Sequence, residues 1–171
     1  MWSRRKFIFV GVIGALAAGA AVVLPRIGKP GVAPKGGALV LAHSDMLHVV
    51  AMAVLGSALS ADAAIRDAEL LRIINAAGVL IDNLPRSTRC EVGDLFGLLA
   101  LKPARLLMGF SGDWNVDNAP AVAQAMLGLR DSSIGLKQQA YFALHDMVLG
   151  IFYAEPKTWD ATSYPGPPKL V

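Results

Sequence analysis

Residues 140–154 read Ala-Tyr-Phe-Ala-Leu-His-Asp-Met-Val-Leu-Gly-Ile-Phe-Tyr-Ala, with polar side chains only at His145 and Asp146. The run shows no strand alternation and reads as a helix that is apolar all round, a pattern that calls for burial all round. It is too short to cross a membrane. In a body of about 135 residues it should therefore be the central element of a bundle or lie in an interface with another chain.

The rest of the body supports an all-α class, a small bundle of about five helices. Ser44 or Asp45 can cap a helix through about Leu59, with Leu47, Val50, Val54 and Leu55 at helical spacing. Ser60 or Asp62 opens a second, amphipathic helix that places Ile65, Ala68, Leu71, Ile74, Gly78 and Ile81 on one face and stops before Pro85. A third, from about Glu91 to Met108, should bend or break at Pro103, because proline removes a backbone donor and clashes with the preceding turn. After a loop containing Trp114, a fourth helix starts at Asp117 or Asn118, with Pro120 in its first turn, and ends near Arg130. The fifth, capped by Asp131 or Ser132, contains the apolar run. From Glu155 onward, Pro156, Pro165, Pro167 and Pro168 predict an extended tail over 155–171, where Trp159 and Tyr164 sit as large anchors on a stiff chain. Those anchors can pack on the chain's own bundle or on a partner.

Ahead of the body, residues 1–24 read as an export leader: a basic start, then 18 uncharged, apolar residues over 7–24. Ser3-Arg4-Arg5-Lys6-Phe7-Ile8 resembles the twin-arginine pattern Ser-Arg-Arg-x-Phe-Leu. The apolar run is diluted by Gly11, Gly14 and Gly19, as suits a signal that avoids the ordinary secretion channel. The other reading is a plain signal-anchor with a basic cytoplasmic flank. Ala18-Gly19-Ala20 offers a cleavage site, while the run is just long enough to stay as an inner-membrane anchor. Residues 25–40, with Pro25, Pro30 and Pro34 among four glycines over 28–37, read as a linker between leader and helical domain 41–154.

Charge placement removes one class of partner. Residues 1–35 hold six basic residues and no acid, so the remainder holds ten basic and thirteen acidic residues, a net of −3. A nucleic-acid footprint needs cations clustered on the folded domain, so none is expected. Charged residues are only 17% of the chain against about 25% in typical soluble domains, which points to a partner covering apolar surface.

No catalytic constellation emerges. The single cysteine, Cys90, rules out thiol-rich metal and haem motifs and reads as a small hydrophobe. His43 and His48 are five apart and do not share a helix face as i, i+4 ligands do. His145 and Asp146 point about 100° apart on a helix, so they are not expected to form a dyad. His145 is read as hydrogen-bonded to the tail or a neighbouring helix, or else as reaching a cofactor edge on a partner. No metal, cofactor-binding or catalytic residue is assigned to this chain. No serine, cysteine or threonine has a context that would activate it as a nucleophile.

Tyr141-x-x-Leu144-His145, the apolar run to Phe152-Tyr153, then Pro156, Trp159 and Tyr164-Pro165-Gly166-Pro167-Pro168, behind a twin-arginine leader, resemble the small subunits that accompany FAD-dependent dehydrogenases of the glucose–methanol–choline type. Gluconate, sorbitol and glucose dehydrogenases have such subunits. The resemblance spans the leader and residues 94–168; the region 40–90 shows none. It implies a helical, cofactor-free subunit that binds the flavin-bearing large subunit through Tyr141, Leu144, His145, Phe152, Tyr153, Trp159, Tyr164 and Pro165. It also implies that this chain takes the large subunit through the twin-arginine translocase to the periplasm, that FAD belongs to that partner, and that a cytochrome c can serve as electron acceptor. The competing expectations are a stand-alone periplasmic helical protein holding a small apolar ligand in its bundle, and an autonomous enzyme.

Overall fold

A computed structural model describes residues 33–159 and 165–166, all within one unit, Ala33–Val171. The expectations placed on residues 1–32, including Ser3, Arg4, Arg5 and Phe7, lie outside the described residues, as does Tyr164. The architecture is all-α: among the described residues there are seven α-helices and no strand. In chain order they are α1 (Gly36–Ala42), α2 (Ser44–Leu55), α3 (Ala63–Asp82), α4 (Arg86–Leu99), α5 (Lys102–Leu107), α6 (Ala119–Arg130) and α7 (Gly135–Tyr153). Single 3₁₀ turns occupy Gly56–Ala58, Val116–Asn118 and Pro156–Thr158.

The boundaries follow local chemistry. Asp62 caps α3, its Oδ1 accepting from the Ile65 amide at 3.1 Å, a contact worth about 0.5–2 kcal/mol. Pro103 sits in the first turn of α5, where its missing N–H leaves no bond unmade, so the expected break falls between α4 and α5. Asn118 precedes α6, whose first turn carries Pro120. Helix α4 begins at Arg86, earlier than expected, because its first turns are polar and bury little; only Phe96 and Leu99 go fully inside. Residues 36–40, expected as linker, are helical and belong to α1.

At the centre lies α2, which packs against α3, α6 and α7. Its buried residues are Met46, Leu47, Val49, Val50, Ala51 and Leu55, which point in nearly every direction around the axis. Helix α7, expected to be buried all round, buries one side only: Ala140, Tyr141, Leu144, Val148, Ile151 and Phe152. The bundle has room for one fully wrapped helix, and the shorter α2 takes that place. The inward face of α3 also differs from expectation, with Leu70, Ile73, Ala77, Gly78 and Ile81 inside and both Ile65 and Leu71 in solvent.

Helix α1 lies along α3, held by a backbone approach that only glycine allows. A Cβ on Gly36 would collide with the Gly78 carbonyl oxygen, and one on Gly78 would meet the Gly37 Cα at 3.2 Å. The Gly36 amide donates to Asp82 Oδ1 at 2.7 Å, satisfying one of the orphan donors at the start of α1. At His43 the chain bends by 83° into α2. Among the described residues, no single helix is long and apolar enough to cross a membrane.

Candidate functional site

Helical spacing divides α7 into two faces. Tyr141, Leu144, Val148, Ile151 and Phe152 point into the bundle and are buried. Full burial of side chains of this size is worth about 1.5–3 kcal/mol each. Phe142, Asp146, Gly150 and Tyr153, spaced i, i+4, i+8 and i+11, point outward, while Leu149 is half-buried at the flank against the core. Phe142 is 52% exposed and Tyr153 38% exposed. Three residues expected at a partner interface, Tyr141, Leu144 and Phe152, are therefore occupied by the chain's own core and are out of a partner's reach. The spacing of the run explains the correction: its apolar residues cover both faces, and the bundle takes one.

His145 stands at the border between the two faces. Its Nδ1 lies 2.9 Å from Asp146 Oδ1, so the adjacent residues do pair, contrary to the sequence expectation. The 100° between their Cα–Cβ directions does not prevent contact, because the side-chain torsions bring Nδ1 and Oδ1 together. The His145 ring stacks on Tyr141, centroids 4.8 Å apart and planes at 26°, which fixes its tilt. Asp146 is largely exposed, and pairs of this kind are worth about 0.2–1 kcal/mol. The bond orients the imidazole at the edge of the outward face and leaves Nε2 as the atom open to a further contact.

Just beyond α7 the chain turns back on itself. Thr158 Oγ1 donates to the Glu155 carbonyl at 2.7 Å, and the Trp159 indole N–H donates to the Tyr153 carbonyl at 2.7 Å. The Trp159 bond satisfies a carbonyl in the last turn of α7, and Thr158 Oγ1 also reaches the Phe152 carbonyl there at 3.2 Å. The indole meets Gly166, where φ is +90° and a Cβ would lie 3.0 Å from the ring. Half-buried Trp159 thus packs on its own chain on one side, and Pro165 beside it is exposed. Of the expected interface residues, His145, Tyr153, Trp159 and Pro165 remain on the surface at or near the outward face of α7. Sequence reasoning missed Phe142; the signal available was its i, i+11 spacing with Tyr153.

Elsewhere, the bundle holds a cavity of about 20 Å³ among Val50, Leu99, Met126, Leu129 and Leu144, room for about one water. Small-molecule sites run to about 300–1,000 Å³. The aliphatic stem of Arg105 lines that cavity, and the side chain is almost wholly buried. Its guanidinium lies 5.6 Å from the Trp114 ring centre and 3.4 Å from Asp113 Oδ1, while its Nε has no partner. Trp114 in turn donates to the Leu99 carbonyl at 3.2 Å and packs on Phe110, so this cluster ties the 109–118 loop to α4 and α5. Cys90 is half-buried. Among the described residues, no three His, Cys, Asp or Glu side chains come together as metal ligands would. His43, half-buried edge-on against Phe96, has its pKa lowered by desolvation, and Asp94 has its pKa raised by burial and by the neighbouring Glu91 charge. In comparisons with known proteins, no family model matches this chain, and neither a curated protein nor a solved structure does.

Proposed function

We propose that this chain is the non-catalytic small subunit and export escort of a periplasmic FAD-dependent alcohol or sugar dehydrogenase complex. The observation that carries the reading is the outward face of α7, where exposed Phe142 and Tyr153 end a stripe that also carries Asp146 and Gly150, beside the Trp159 turn. Exposed aromatic side chains flanked by polar groups suit a protein interface, since they bring large contact area at low conformational cost. Gly150, at the middle of the stripe, lets another chain's backbone or side chains come close. His145, oriented by Asp146 and Tyr141, supplies a polar contact at the rim.

Of the residues that resemble the dehydrogenase small subunits, His145, Tyr153, Trp159 and Pro165 are at or near this face, and the twin-arginine-like leader pattern supports the export role. The twin-arginine translocase carries folded proteins, and a flavoprotein loaded in the cytoplasm is a fitting passenger. FAD and the catalytic base then belong to the large subunit, and a cytochrome c takes the electrons. This chain contributes recognition and the route to the periplasmic side of the inner membrane, where its leader is either cleaved or kept as an anchor.

The test is co-expression of the full chain with a flavoprotein large subunit, followed by purification through a tag on this chain. A yellow complex with flavin absorbance is expected, and Phe142→Asp combined with Tyr153→Asp should release the yellow partner without unfolding the helical subunit. Recovery of a colourless, monodisperse single chain under the same conditions overturns the proposal. Replacement of Arg4 and Arg5 by lysine should abolish export of both subunits.

A further inference from the structure

Among the described residues, Arg105 is the one buried charged side chain, 5% exposed, and its hydrogen bonding is incomplete. A guanidinium takes a carboxylate best through two parallel bonds, and its side-on edge offers Nε and Nη2 for them. Asp113 Oδ1 meets that edge at Nη2 alone, at 3.4 Å, while Nε is closed off from solvent without a partner. Strong N–H···O⁻ bonds run to about 2.7–2.9 Å, so Asp113 is a loose, one-point partner. It is also 68% exposed, and the same oxygen lies 3.5 Å from Lys102 Nζ. Two cations thus share one carboxylate, which leaves an excess of positive charge beside a buried donor. A buried charge is costly unless it is paired and hydrogen-bonded, and an unsatisfied one marks a place for an ion.

The space next to this edge is apolar and small. The Arg105 stem borders the cavity of about 20 Å³, walled also by Leu99, Met108, Val122, Met126 and Leu129. Those side chains offer a water molecule none of the about two to four polar partners it needs, and the volume suits about one methyl group. Met108 and Met126 are unbranched and flexible, so the wall can yield to a slightly longer chain. A methyl-sized apolar pocket beside a half-used carboxylate edge describes a short aliphatic acid, with its charge on Arg105 and its tail inside. The 109–118 loop covers both. Asp113 and Trp114 belong to it, and neither lies in a helix. The Trp114 ring centre sits 5.6 Å from the guanidinium carbon, and the indole is tied to the Leu99 carbonyl. Gly109, at φ +86°, starts the loop in a backbone conformation suited to glycine. Displacing Asp113 and Trp114 uncovers Nε at the cost of the Asp113 ion pairs and one indole hydrogen bond.

We infer that Arg105 and the adjoining cavity bind a short-chain monocarboxylate of the acetate-to-butyrate class. The carboxylate sits side-on on Nε and Nη2 in place of Asp113, the alkyl end enters the cavity, and the 109–118 loop acts as the lid. Asp113 is then an internal competitor for the site. The inference uses the inside of the bundle and stands whether or not the outward face of α7 takes a partner.

The experiment uses the full chain in dodecyl maltoside micelles, with arginine labelled with ¹⁵N. Sodium propionate replaces sodium chloride stepwise at constant ionic strength. One arginine Nε–H resonance, identified by its loss in Arg105→Lys, is expected to shift, and the unfolding midpoint should rise with propionate concentration. Propionamide, which has the same shape without the charge, should do neither. Asp113→Asn should tighten propionate about two- to fivefold, the change expected when an exposed ion pair no longer competes. Arg105→Lys keeps the charge but not the two-pronged edge, and should weaken binding about tenfold or more. An Arg105 resonance and a midpoint that ignore propionate overturn the inference. So does an equal response to propionamide, which would make the cavity alone the site, or an affinity unchanged by Asp113→Asn. If Arg105→Lys melts too low to titrate, the propionate dependence of the midpoint in the unaltered chain and in Asp113→Asn decides.

Discussion

Gly36 and Gly37 are neighbours in sequence, yet they meet different surroundings. A methyl group at Gly36 would strike the Gly78 carbonyl, whereas one at Gly37 meets nothing within 4 Å. Gly36→Ala is therefore expected to destabilise the body by about 1–3 kcal/mol through overpacking. Gly37→Ala should stabilise it by about 0.5–1 kcal/mol by raising helix propensity. Thermal unfolding of the two variants side by side checks the pair, and equal effects would contradict the docking of α1. His43 and Asp94 give opposite pH dependences. Burial lowers the folded pKa of His43 below its ordinary 6.5, so its contribution is complete above that pH. It is lost as acidification protonates the unfolded chain first. His43→Gln should therefore flatten the fall in stability below about pH 6.5. Asp94, raised above its ordinary 3.8 by burial and by Glu91, favours the folded state only when protonated. Asp94→Asn should accordingly raise the unfolding midpoint at pH 7, and the gain should shrink as the pH falls toward 4. In the sequence His43 was weighed only as a metal ligand and Asp94 not at all, because a pKa shift arises from neighbours that the tertiary fold supplies.

At the scale of elements, α7 is one helix with two tasks. Leu144→Ala, at its buried face, should cost about 2–5 kcal/mol of stability, whereas Phe142→Ala on the outward face should stay within about 0.5 kcal/mol. Chemical denaturation of both variants separates the faces. If Phe142→Ala proved as destabilising as Leu144→Ala, the outward face would not be free. Most helices were legible because their punctuation is local: Asp62 as a cap, Pro85 as a stop and Pro103 as a break act within a turn or two of themselves. The early start of α4 was not legible, since Arg86, Ser87 and Thr88 carry no apolar period and their helix is completed by packing at Phe96 and Leu99. The fate of His145 was missed for a related reason. Azimuth along a helix gives where a side chain starts, and the rotamer gives where its polar atom ends.

For the whole molecule, the docking of α1 makes the folded unit begin earlier than the proline and glycine content suggests. A chain beginning at Ala33 should unfold cooperatively, whereas one beginning at Ser44 loses buried Leu39 and Val40 and should melt lower and less cooperatively. Circular dichroism melts of the two truncations check this, and indistinguishable midpoints would argue against α1 as part of the core. The sequence by itself determined the helical class, the proline breaks and the excess of apolar residues, because each depends on composition or on contacts within a few residues. Only the tertiary structure decided that α2 and not α7 is the wrapped helix, that Gly36 bonds to Asp82 46 residues away, and that Tyr141, Leu144 and Phe152 face the core. Burial is a relation between distant segments, and when several helices are apolar enough to fill a core, packing geometry selects which face of each goes inside.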